Sequence, residues 1–93
     1  MNIMEVINND NVFNTFANLW ERWQDEKYYE DINEYAKVLA GSIAKNTSVQ
    51  PTNVTATKRP FGIKFTTQDG EKYHVFCKLK NSTTLAFYAK KSA

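Results

Sequence analysis

The sequence predicts an α+β fold in which two N-terminal amphipathic helices pack on one face of a three- to four-stranded antiparallel meander. Three observations predict it. Apolar residues recur at helical spacing as far as Ile43, the period changes to two past Ser42, and turn residues then divide the chain into short strands. Ninety-three residues suit a single domain over 1–93, with a helical acidic part at 1–45 and a basic sheet part at 53–91. Thirteen aromatic residues, seven before Lys45 and six after it, supply core volume that four leucines would not.

Val12, Phe13, Phe16, Leu19, Trp20 and Trp23 form one helical stripe behind Asn8-Asn9-Asp10-Asn11, a run that offers several N-cap side chains. A second stripe holds Ile32, Tyr35, Ala36, Leu39, Ala40 and Ile43. Extended at about 3.6 residues per turn, the first stripe reaches Lys27 and Glu30 instead of Tyr28 and Ile32, so the phase breaks between the two. Asp31 and Glu34 have the spacing of a capping box, which places a short turn before a separate second helix. Residues 3–7 add a short leading helix, and the Thr- and Asn-rich stretch 46–58 reads as a loop with a short strand near 54–57.

The register of the later strands follows from their pattern. A two-residue loop at Asp69-Gly70 would pair Phe65 with His74 and mix apolar with charged side chains on both faces. A three-residue loop with Gly70 in a left-handed bulge position pairs Phe65 with Tyr73, Ile63 with Val75 and Phe61 with Cys77. One face then becomes apolar throughout, and the same treatment of residues 81–83 adds Leu85, Phe87 and Ala89 to it. The opposite face receives Lys64, Thr66, Lys72, His74, Phe76, Lys78, Lys80, Ala86, Tyr88 and Lys90.

Charge divides along the same line. Through Ala44 there are eight acids and three bases; from Lys45 onward there are nine bases and two acids. The halves carry minus five and plus seven, which sum to the net charge of plus two. Two candidate binding surfaces follow. Asp25, Glu26, Tyr28, Tyr29, Glu30, Asp31 and Glu34 gather negative charge and two amphipathic rings around the inter-helix turn, a surface suited to a basic protein partner. Lys58, Arg59, Lys64, Lys72, His74, Phe76, Lys78, Lys80, Tyr88 and Lys90 interleave bases with rings, a combination that suits nucleic acid: ammonium groups neutralise phosphates and exposed rings stack on bases. Each has a plain alternative, a solvated helix end in the first case and a solvated sheet face with lysine-protected edges in the second.

Catalytic chemistry finds little to work with. Cys77 and His74 are the only residues of their kinds, and three positions apart on a strand they face opposite ways. One Cys and one His fall short of a zinc ligand set, and the three glycines form no phosphate-cradling loop: Gly70 belongs to its bulge, and Gly41, near a helix end, and Gly62, in a strand, read as close-packing or bulge positions. No metal and no cofactor is expected, and the chain reads as a non-enzyme. A lone Cys and a start without a basic or apolar leader point to the cytoplasm, the host cell's if the chain is phage-encoded. The first functional expectation is a small protein-binding inhibitor of the phage or mobile-element kind, directed at a host enzyme or defence system that handles nucleic acid. The alternative is direct nucleic-acid binding through the basic face.

Overall fold

The computed structural model describes residues 2–25 and 31–92. Helices α1 (Met4–Ile7), α2 (Asp10–Trp23) and α3 (Ile32–Asn46) precede strands β1 (Thr52–Lys58), β2 (Phe61–Thr66), β3 (Lys72–Leu79) and β4 (Leu85–Lys91). The strands pair antiparallel in the order β1-β2-β3-β4, so the fold is α+β with the helices ahead of a meander. Among the described residues no helix is long and apolar enough to cross a membrane.

Asn9 starts α2 and also secures the end of α3. Its backbone is extended (φ −94°, ψ 117°), its Oδ1 accepts from the Val12 N–H at 3.0 Å, and its Nδ2 donates to the Asn46 carbonyl at 3.2 Å. The helices bury Val12, Phe16, Leu19 and Trp23 from α2 and Ile32, Tyr35, Ala36, Leu39 and Ile43 from α3, and the hydroxyls of Thr15 and Ser42 meet between them at 3.0 Å. Helix α3 ends where the Thr47 hydroxyl donates back to the Ile43 carbonyl at 2.8 Å. The following loop is held by the wholly buried Val49 and by Gln68, which donates to the Ser48 carbonyl at 2.7 Å and accepts from the Gln50 N–H at 3.0 Å.

Strand β1 is longer than the segment expected at 54–57 and bulges at Asn53, whose φ of 51° lies in the left-handed region. The β2–β3 and β3–β4 registers match the alternation argument. Gly70 has a φ of 86° and donates to the Thr67 carbonyl at 3.0 Å, closing the bulged turn. Phe61, Ile63 and Phe65 thereby stand opposite Cys77, Val75 and Tyr73, and Cys77 opposite Phe87. The helices cover this apolar face: the Trp23 ring lies 5.5 Å from Phe61, and Phe16 lies 4.7 Å from Phe87.

Three expectations change. Asp31 forms no side-chain cap, because with φ −86° and ψ 3° it lacks the extended backbone that aims a capping carboxylate at the helix. Trp20 is only half-buried and packs at the edge of the core, while Trp23 is buried. Gly41 is neither a helix-end nor a close-packing position; it lies inside α3 with open space around it. Gly62 does require its missing side chain, since a Cβ there would stand 2.2 Å from the Val75 carbonyl oxygen and 2.6 Å from the Phe76 Cα.

These packings set the effects of substitution. Trp23→Ala should cost about 3 to 5 kcal/mol, with a smaller loss for Trp20→Ala, both read from urea unfolding. Gly62→Ala should destabilise by at least about 1 to 3 kcal/mol because backbone, not a flexible side chain, blocks the added methyl. Gly41→Ala should stabilise by about 0.5 to 1 kcal/mol in the same assay.

Candidate functional site

The face of the sheet turned away from the helices collects the even-numbered residues of β2, β3 and β4. Gly62, Phe76 and Tyr88 form one cross-strand row on it, and Lys64, His74 and Lys90 form the next. Lys78 stands opposite Ala86, and Lys72 opposite Thr66. Lys64, Lys72, Lys78 and Lys90 are exposed, as is Lys80 just past the end of β3. Lys58 and Arg59 are exposed at the β1–β2 turn, but Lys58 stands opposite Phe61 and so has the parity of the apolar face. It extends the basic end of the molecule and not the outer array.

The aromatic members behave differently from the expectation of two solvated rings. Phe76 is only 6 % exposed and His74 only 8 %. Gly62, opposite Phe76, contributes no side chain, which leaves room for the Phe76 ring on the sheet surface. The ring is flanked by His74 at 4.7 Å and stacked on Tyr88 at 5.4 Å with 27° between planes. Lys78 Nζ lies 5.5 Å above the Tyr88 ring, a cation–π contact on a half-buried side chain. Phe76 is therefore the centre of a small second core on the outer face, and it is not a free platform for a stacked base.

The gap over Gly62 also lets β1 reach β3. The Thr57 hydroxyl lies 3.0 Å from His74 Nε2 and 2.9 Å from the Pro60 carbonyl oxygen. A hydroxyl has one proton and the carbonyl can only accept, so the proton goes to Pro60 and Thr57 accepts from His74 Nε2–H. That leaves Nδ1 as the unprotonated nitrogen. Burial first, and then the nearby charges of Lys64 and Lys90, push the His74 pKa below its ordinary value and keep the ring neutral.

At the Thr66 end of the face a cleft of about 260 Å³ is lined by Asn53, Lys64, Thr66, Lys72 and Ser92 together with Phe65 and Tyr73. Its polar lining is rich in donors and contains no carboxylate. The two acids of this half of the chain are engaged at the β2–β3 turn, Asp69 by the Thr67 hydroxyl and Glu71 by Lys91 at 3.3 Å. The bulge at Asn53 brings that residue to the cleft; a non-glycine left-handed position is not signalled by alternation, so neither bulge nor cleft was legible beforehand.

Of the acidic candidates, Glu26, Tyr28, Tyr29 and Glu30 lie outside the described residues. Asp25 is exposed, Asp31 is half-buried, and Glu34 is exposed and paired with Lys37 at 3.2 Å. Glu34 lies in α3, Asp31 immediately precedes that helix and Asp25 follows the end of α2, so the described acidic candidates sit at the ends of the helices that pack on the apolar face. On the apolar side Cys77 is 1 % exposed and burial pushes its thiol up to about 12, away from His74 on the opposite face. Among the described residues no three His, Cys, Asp or Glu side chains converge on one point. The chain matches no known family model, no curated protein and no solved structure, so no residue role is carried over from a relative.

The neutral His74 makes stability depend on pH. Its folded pKa lies below its unfolded one, so as pH falls through about 6.5 the unfolded chain gains a proton that the folded chain does not, and stability drops. Glu5 and Asp69 are held low by hydrogen bonds from Ser48 and Thr67, which puts their titration in a separate, more acidic range. Urea midpoints should fall between about pH 7 and pH 5, and His74→Gln should remove most of that slope. An unchanged slope in the variant would assign the pH dependence elsewhere.

Proposed function

We propose that the chain is a non-enzymatic binding protein whose outer sheet face engages the phosphate backbone of a nucleic acid. One observation carries the reading: Lys64, Lys72, Lys78 and Lys90 stand exposed on the face that the described helices leave uncovered, and no acid of β2, β3 or β4 shares that face with them. The burial of Phe76 shapes the mode of binding. With that ring unavailable, affinity comes from ammonium–phosphate contacts more than from base stacking, so binding is expected to be insensitive to sequence and strongly sensitive to salt. The buried Phe76 and His74 beneath the lysines favour this, because the strand register fixes the positions from which the flexible ammonium groups reach the ligand.

A second reading has the acidic end of the helices capture a basic protein, in the manner of a phage or mobile-element inhibitor acting on a nucleic-acid-handling enzyme. It is favoured by Asp25 and Glu34 being exposed at the facing ends of α2 and α3, with Asp31 half-buried between them in sequence. Partner, source and cellular compartment belong to this proposal.

The two are separated by fluorescence anisotropy with a labelled single-stranded oligonucleotide. Four phosphate contacts predict a Kd in the micromolar range at physiological salt and a slope of about −3 in log K against log salt. Lys64→Glu, Lys72→Glu and Lys78→Glu combined should abolish binding. Phe76→Ala should lower the melting temperature, where a stacking ring would instead change affinity at constant stability. Absence of oligonucleotide binding at low salt, with Glu34→Lys abolishing capture of a basic protein, would move the function to the acidic end.

A further inference from the structure

Lys64, His74 and Lys90 are successive neighbours across β2, β3 and β4, pointing to the same side. Directly opposed side chains in such a row have Cβ atoms about 4.5 to 5.5 Å apart, so the two flexible ammonium groups can reach the space above the imidazole. His74 is faced by Thr57 from β1, Lys64 from β2, Phe76 and Lys72 along β3, and Lys90 from β4. None is acidic. The described helices pack on the other face of the sheet. Like charges placed in one row oppose folding, and an anion between them removes that opposition.

We propose that Lys64, His74 and Lys90 form the seat of one phosphate group of the bound strand, and that His74 takes up a proton as the phosphate arrives. The inference rests on the nucleic-acid reading above and adds a position and a proton to it. Nε2–H already donates to Thr57, so the proton, drawn from solvent, is accepted by the Nδ1 lone pair and the ring becomes an imidazolium. In the free protein the ring stays neutral because it is buried and because Lys64 and Lys90 repel a third charge. A phosphate between the two lysines cancels that repulsion and attracts the imidazolium. Binding and protonation are then linked reciprocally: lower pH tightens binding, and binding raises the affinity of His74 for its proton. Lys64 also lines the cleft with Lys72, Asn53 and Thr66, which gives the strand a donor-lined path away from the seat.

The test uses an oligothymidylate about 12 nucleotides long, whose bases do not titrate between about pH 5.5 and pH 8, at fixed ionic strength. The wild-type Kd should fall on acidification by up to about tenfold per pH unit across the window of the shift. His74→Gln should bind with a flat pH profile. Lys78→Gln, outside the row, should bind more weakly but keep the slope, whereas Lys64→Gln and Lys90→Gln should lose affinity and slope together. The second measurement needs no substitution: the His74 imidazole resonances, titrated in wild type with and without the oligonucleotide, should show a higher pKa in the complex. Binding with a flat wild-type profile and an unmoved His74 pKa would overturn the seat and leave the basic face as the binding surface. No binding at any pH or salt would overturn both.

Discussion

Gly70, at a φ of 86°, turns β2 onto β3 so that Phe65 stands opposite Tyr73 and Lys64 opposite His74. Side chains alternate along a strand, so a slip of one residue between β2 and β3 would turn one strand's apolar residues outward against the other's and place lysines beneath the helices. The apolar face that receives Trp23, Phe16 and Leu39 exists only in this register, and so does the row of bases on the other side. Folding and function are thus tied to one hairpin. Burial of the inner face specifies the register, and the register composes the outer one.

A sheet covered by helices on one side leaves its other side to water, and a lysine-rich solvated face would ordinarily need no further account. Here that face has a core of its own. Gly62 lies so close to the backbone of Val75 and Phe76 that no Cβ fits, and beside it in the same row the Phe76 ring is buried with His74 and Tyr88 on its flanks. The hydrogen bond from His74 to Thr57 runs across the same gap and joins the edge strand to β3. The lysines therefore rise from a fixed floor, with a neutral imidazole held among them. This is the physical basis for reading the face as a prearranged anion surface.

Much of this was legible in the sequence because it depends on period. The helical stripes ending at Trp23 and Ile43, the change to alternation after Ser42, and the demand for one wholly apolar face specify helices, strands and the pairing of Phe61, Ile63 and Phe65 without any distance being known. Parity likewise assigned Lys64, Lys72, Lys78 and Lys90 to one side. What period cannot convey is how far a neighbour encroaches. Alternation placed Phe76 on the outer face but said nothing of the closeness of Gly62 to its partner strand, so a ring expected in solvent is buried. It also gave no sign of the left-handed Asn53 or of the reach of Thr57 to His74, since both arise from backbone geometry at an edge strand. The Asp31 cap failed for a similar reason: spacing satisfied the motif, but the backbone angles did not.

That Lys64, Lys72, Lys78 and Lys90 share the uncovered side of the sheet and are available there to a polyanion is the claim on which the functional account stands. Chemical-shift mapping of the amide and lysine ammonium resonances on addition of a single-stranded oligonucleotide tests it most directly. Perturbations confined to Lys64, Lys72, His74, Lys78 and Lys90 and their strand neighbours, with Val12, Leu19 and Leu39 unmoved, are the predicted result. Perturbations centred on Asp25, Asp31 and Glu34, or none at all at low salt, would contradict it.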